Sequence, residues 1–534
     1  MRLRYKVIML FALLTSYANA ELNITDEIEQ GRRIYQEGIL TSGKALQGIW
    51  YNSNVVSSKQ AACTNCHKKS GLGGSEGKNL IPPINGSSLF HVDVPPIVVD
   101  VRTPRGIVQP HAPYDDVSLA VAIRTATKND GKDLSPMMPK YNLNDADMKS
   151  LTAYLHQLSI KNSIGVDDTS ITFATVITPD VTPEQRKILL DMTNSYYLNR
   201  NASWHAGGRR MRMGAELIPR TERDWKSVIW DLKGPENTWH TQLDEYYSNG
   251  PVFALTSGIS NSTWAPIHNF CEIKKIPCLF PSVSTTYTKD DSYSFYFSKG
   301  TALEASILAN YITTEKQTPN KIIQVFRDDV IGRNASQALS DALSDSNIKL
   351  KDYILSDDIK DLQKFAKTIT SNDVVVFWLN ATDITTVTKA IPPPKQSYFS
   401  GLLANDPKSD IFSKKWLTSM KLIYPFELPS KRSQQVNPLK TWLTTYNIPL
   451  VDEKLQSEIL FNLFLLSTTT AQMIDNLYRD YMVEQIEMLL SQGTNRTTYP
   501  WLEIGPNQRF VSKSGYIVKF KGTELVTVSD RIVP

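Results

Sequence analysis

Beyond residue 20 the sequence has no charge-free apolar run long enough to cross a bilayer, which argues against a membrane-spanning helix there. It also lacks an excess of charge of either sign. The 58 Lys and Arg face 54 Asp and Glu, so there is no electrostatic footprint for nucleic acid or for an anionic membrane surface. No Gly-x-Gly-x-x-Gly follows a strand pattern, and there is no Walker loop and no Gly-x-Ser-x-Gly elbow, which argues against a doubly wound enzyme. Cysteine is scarce, with four in 534 residues: Cys63, Cys66, Cys271 and Cys278. What is present is an ordinary globular composition, and the length exceeds what one core supports, so two or three domains are expected.

The amino terminus reads as an export signal. Arg2, Arg4 and Lys6 precede the apolar run Val7 to Leu14, and Ala18-Asn19-Ala20 has the form that a signal peptidase cuts. Cleavage would start the chain at Glu21 and leave 55 basic against 54 acidic side chains, in a bacterial periplasm that permits disulfides. An uncleaved anchor is the rival reading, but the run is too short to span.

Within Ala61-Ala62-Cys63-Thr64-Asn65-Cys66-His67, two thiols stand two residues apart and a histidine follows at once. That spacing lets both sulfurs add to the vinyl groups of a haem while the next imidazole reaches its iron. A disulfide, half a zinc site or a redox dithiol would use Cys-x-x-Cys without needing the histidine. There is no second such motif, so one haem is expected. An electron-passing iron needs a sixth ligand. Met138 is the preferred candidate, on the proline-stiffened run Ser135-Pro136-Met137-Met138-Pro139-Lys140-Tyr141, with Met137, His91 and His111 as rivals. A helix from about Ile24 to Glu37 and another carrying Met148, Leu151, Tyr154, Leu155 and Leu158 on one face would close a small domain around the group.

On these residues, together with Gly31-Arg32-Arg33-Ile34-Tyr35 and Pro82-Pro83-Ile84, residues 24–160 resemble a class I c-type cytochrome. The resemblance implies an all-α domain over residues 21–161, with thioether anchors at Cys63 and Cys66, His67 as proximal ligand and Met138 as distal ligand. It also implies a carbonyl of the Pro82-Pro83 segment behind the His67 ring. The proline-punctuated stretch Val92 to Val108 departs from the pattern and reads as a flap or short strands over a haem edge.

A polar linker at 162–170 separates this domain from a region, 171–534, in which strand and helix patterns alternate. Strands are expected at Ile171–Ile177, Val252–Thr256, Cys278–Phe280, Tyr293–Phe297, Lys321–Phe326, Lys349–Leu355 and Asp373–Leu379. Helices are expected at Pro183–Asn199, Trp264–Ile273, Thr301–Tyr311, Ala335–Leu343 and Lys360–Ile369. Continuous Val, Ile and Phe strands between amphipathic helices point to parallel sheets covered on both faces, in two lobes. Leu460 to Leu466 reads as core packing in a long helix.

With Ala206-Gly207-Gly208-Arg209, Thr256-Ser257-Gly258, Ile276 to Pro281, Tyr296-Phe297-Ser298, Glu304-Ala305 and the hairpin Gly505 to Arg509, the region resembles the type I periplasmic solute-binding fold of the branched-chain amino-acid-binding class. The resemblance places a cleft at the carboxyl ends of the strands. There Thr256, Ser257, Gly258, Ser282, Ser284 and Thr285 would offer donors to a carboxylate, with Asn380 and Asp406 from the second lobe. Met213 to Pro219 stands where the family shows an acidic pair, which speaks against an amino-acid ligand. Cys271 and Cys278 flank a short turn and could form a disulfide.

These readings combine into an exported electron carrier with a single covalent haem c. A dehydrogenase or oxidase would be its redox partner, and the solute-binding-like module would recognise a ligand or partner. The alternatives are a ligand sensor with auxiliary haem and a haem enzyme such as a peroxidase, which would need open iron; a carrier is favoured over an enzyme.

Overall fold

A glycine at position 31 lets two helices meet. In the computed structural model a Cβ there would collide with the Ser150 carbonyl oxygen and come 2.7 Å from the Tyr154 Cβ, so helix 25–37 and helix Asp145–Gln157 approach backbone to backbone. Gly→Ala inside a helix ordinarily gains about 1 kcal/mol of propensity. Here the collision outweighs it, and Gly31→Ala is expected to cost about 1–3 kcal/mol. Thermal unfolding followed at the haem absorption band checks this, and a midpoint equal to that of the unmodified protein would refute it.

The structure describes residues 25–50, 53–76, 79–91, 97–98, 107–108, 111–160, 163–210, 223–286, 292–314, 319–370, 373–505 and 508–534. The expected signal segment, the 213–219 stretch and part of the 505–509 hairpin lie outside them. Two compact units divide the chain. One takes in residues up to Asn162 together with Asn476–Glu484, and the other is Ser163–Asp475 with Gln485–Pro534.

In the first unit Asn144 caps helix Asp145–Gln157 by accepting from the Asp147 amide, and Asp115 and Ser118 form a capping box on helix Asp116–Thr125. Met148, Leu151, Leu155 and Leu158 turn inward onto Ile34, Tyr35, Leu119 and Ile123 in one apolar cluster. The unit is not all-α as expected. Antiparallel strands Val55–Ser57, Gln47–Ile49 and Lys140–Tyr141 form a small sheet, and Gly74–Glu76 pairs with Asn79–Ile81. Loops that cross a core must pair their backbone groups, and these strands of two or three residues do so. In the stretch read as a flap, Ile97–Val98 pairs with Ile107–Val108.

The second unit holds two sheets. The first runs, in spatial order, Phe510–Ser512, Ser294–Ser298, Cys278–Leu279, Ala254–Thr256, Ser170–Ile177 and Asp224–Asp231, parallel throughout. The second runs Lys349–Ile354, Lys321–Phe326, Val374–Trp378, Gln396–Ser400, Met420–Tyr424, Tyr516–Lys521 and Glu524–Thr527, with only the last two strands antiparallel to their neighbours. Val374–Trp378 is buried at every position, as a parallel strand covered on both faces must be. Helix Pro183–Arg210 runs past the expected end at Asn199, so Ala206 to Arg209 continue it instead of following it. No helix among the described residues is long and apolar enough to cross a membrane.

Candidate functional site

Short local rules build the first site. Cys63 precedes the single helical turn Thr64–His67, whose winding places His67 against the core with 6% of its surface exposed. The His67 Nδ1 lies 3.0 Å from the Pro82 carbonyl oxygen. A carbonyl only accepts, so Nδ1 carries the proton and Nε2 keeps its lone pair. Burial pushes the imidazole down to about 4, the Pro82 hydrogen bond opposing, so the ring is neutral as a metal ligand must be. The same burial pushes the Cys63 thiol up to about 12. Neither Cys63 nor Cys66 is in a disulfide.

The loop after His67 is tied down at several points. Gly73 N donates to the His67 carbonyl at 3.1 Å, Ile84 N to Gly71 O at 2.7 Å, and the Tyr35 hydroxyl to Lys68 O at 2.8 Å. Glu484, from the segment Asn476–Glu484 of the same unit, accepts from the Ser70 amide at 2.9 Å and from its hydroxyl at 2.6 Å. Nothing local in the sequence signals that residue.

On the other side, the pairing of Lys140–Tyr141 with Gln47–Ile49 anchors the run before it, and the Met138 amide closes a turn on Ser135 O at 2.8 Å. Met138 and Cys63 pack against the same apolar cluster, whereas Met137 is 37% exposed. His91 and His111 are both exposed, and His111 Nδ1 lies against Ala112 O.

Residues 56–159 match the family model described as cytochrome c. This stretch is a cytochrome c domain. Such a domain implies covalently bound haem c, and both cysteines lie within it. The donor chemistry of the cytochrome c domain fits that group: two thiols outside any disulfide, a neutral imidazole with its Nε2 lone pair available, and a thioether on the same apolar cluster as Cys63.

The second unit is similar in fold to solved solute-binding proteins. A fatty acid ABC transporter substrate-binding protein from Thermomonospora curvata is 13% identical with a TM-score of 0.51, over 70% of this chain and 95% of that one. A branched chain amino acid ABC transporter protein from Thermus thermophilus with bound valine is 12% identical with a TM-score of 0.51, over 69% and 98%. A substrate binding protein from Aeropyrum pernix is 13% identical with a TM-score of 0.50, over 68% and 96%. No curated protein sequence matches the chain.

In that unit the candidate cleft residues lie on two neighbouring strand-end loops. Thr256 ends one strand and Ser257 follows it with a left-handed φ of 51°. A Cβ on Gly258 would collide with the Trp264 ring. Ser282, Ser284 and Thr285 follow the parallel neighbour. Ser284 O accepts from the Thr301 amide at 3.0 Å, and the buried Thr285 hydroxyl makes no hydrogen bond among the described residues. The structure adds a helix that sequence reading took for core packing. On Glu453–Met473, Asn462 donates to Ser257 Oγ at 2.7 Å and to Leu279 O at 3.1 Å, and Glu458 accepts from Ser282 Oγ at 2.7 Å. Glu458 and Asn462 are four residues apart, hence on one face, and their polar groups flanking the apolar run Ile459 to Phe461 were the available signal.

The other candidates have structural employment. Asn380 caps helix Ala381–Ala390, and Asp406 is paired with Arg432 and Tyr424. Cys271 and Cys278 are not joined in the expected disulfide. One lies on helix Ala265–Lys274 and the other on strand Cys278–Leu279, and both are packed as small apolar groups in the core between them.

Proposed function

We propose that this protein is an exported one-haem c-type cytochrome that carries electrons for a dehydrogenase or oxidase partner in the periplasm. Its solute-binding-like module recognises a small ligand or the partner itself. The observation that carries the reading is the donor pair: His67, held by the Pro82 carbonyl in the neutral tautomer, and Met138, packed on the same apolar cluster as Cys63. A covalent haem supplies a one-electron centre, and Met ligation favours its reduced form. Cys63 and Cys66 hold the group, the Pro82 carbonyl fixes the His67 ring, and Met138 closes the position that an enzyme with open iron would need.

The absorption spectrum of the reduced, haem-stained periplasmic protein tests this. A low-spin spectrum unchanged by carbon monoxide, with one haem per chain, is expected. A high-spin, carbon-monoxide-binding native protein would sink the carrier reading in favour of a haem enzyme. A sensor with auxiliary haem is the second reading, favoured by structural neighbours such as the valine-bound Thermus protein. Calorimetry against amino acids, aromatic acids and alcohols separates it, since a carrier that docks a partner gives no heat.

A further inference from the structure

We infer that the strand-end loops of the second module form a carboxylate-receiving site and that the chain's own Glu458 is its resident. The inference rests on reading that module as solute-binding-like. Glu458 is 2% exposed, four-square among donors. Ser282 Oγ donates to one carboxylate oxygen at 2.7 Å, Tyr499 OH to the other at 2.9 Å, and Lys454 Nζ lies 3.2 Å from that second oxygen. These donors come from three separate parts of the sequence: a strand-end loop, the loop carrying Tyr499, and the turn of helix preceding Glu458. Converging on two oxygens, they constitute what an external carboxylate would need, with a hydroxyl, a phenol and an ammonium in place of water.

One helical turn on, Asn462 spans Ser257 Oγ and Leu279 O with its amide nitrogen, so the same helix face closes both loops. Its Oδ1 is buried and accepts no hydrogen bond among the described residues. An ordinary helix–sheet contact would be apolar here, since burying a carboxylate costs several kcal/mol unless it is fully paired. The pairing is complete, and a tethered carboxylate holds the donors at an effective concentration no millimolar solute matches. A free carboxylate therefore enters only by displacing Glu458.

Chemical rescue of the full-length, haem-loaded protein tests this. Thermal unfolding of the unmodified protein is expected to be the same in sodium acetate and sodium chloride at equal ionic strength. Glu458→Ala should unfold at lower temperature and recover by about 2–4 °C when acetate reaches roughly ten times its dissociation constant. The neutral isostere acetamide should give no recovery, and Ser282→Ala added to Glu458→Ala should abolish the recovery. Equal response of Glu458→Ala to acetate, acetamide and chloride would overturn the inference. If Glu458→Ala is not recovered folded, titration of the unmodified protein with acetate decides. Absence of heat agrees with a resident carboxylate, whereas saturable heat that Ser282→Ala removes would mean that the donors are free to take an external acid, and would refute it. Binding of an uncharged solute by the unmodified protein, without acetate rescue of Glu458→Ala, would leave the solute-binding reading standing and remove this inference alone.

Discussion

Replacing Met138 with alanine is expected to open the iron. Reduced Met138→Ala protein should bind carbon monoxide, lose its low-spin spectrum and fall in midpoint potential by on the order of 0.1 V, since thioether ligation raises the potential and water does not. The neighbouring Met137→Ala serves as control: that side chain is largely outside the apolar cluster, and its spectrum should match the unmodified protein. An unchanged Met138→Ala spectrum would move the sixth ligand to Met137 or to a histidine. The result therefore identifies the sixth ligand more sharply than any loss of folding could.

The second large effect concerns Glu304, in the first turn of helix Thr301–Thr314. An acid at that end of a helix gains from the dipole, by about 0.3–1 kcal/mol. Complete burial is stronger and pushes the carboxyl up to about 8, although the Ser400 hydroxyl and the Leu402 amide, the latter at 2.9 Å, both donate to it. Its folded-state value thus lies above the ordinary 4.5, and the folded protein holds the proton more tightly than the unfolded chain. The associated stability is fully present below about pH 4.5 and is lost as pH rises through about 8. Glu304→Gln keeps the shape and cannot ionise. Its stability relative to the unmodified protein should rise across that window, by about 3–5 kcal/mol in total. Denaturant unfolding at a series of pH values measures the difference, and a difference that does not change with pH would overturn the assignment.

The sequence carried long elements well and short or distant ones poorly. Strand Lys321–Phe326 and the helices at 265–274 and 301–314 were legible because each shows five or more positions of a single period between breakers. The strands of the cytochrome c domain were not, since Gln47–Ile49 and Lys140–Tyr141 are too short for alternation to register. Strand Asp224–Asp231 went unread because Trp225 and Trp230 are five apart and charged residues bound the run. The haem motif was legible since its chemistry is contained in five consecutive residues. The cleft was legible only as a set of hydroxyls. Their partners, Asn462 for Ser257 and Glu458 for Ser282, lie 205 and 176 positions away, and no local pattern ties such residues together. The placement of Cys271 and Cys278 was illegible on similar ground: proximity in sequence and an oxidising compartment say nothing of which face of a helix a thiol takes.

The contact between Ser70 and Glu484 has a bearing on how the chain is made. The two residues are 414 positions apart, so the loop beside the haem motif emerges long before the carboxylate that ties it down. At about 5–20 residues per second that interval is roughly 20–80 s of synthesis. Through it the Ser70 amide and hydroxyl lack this acceptor, whereas the ties of Tyr35 to Lys68, Gly73 to His67 and Ile84 to Gly71 need only residues already made. Among the ties of this loop described above, the one to Glu484 is the one that waits for the carboxy-terminal part of the chain.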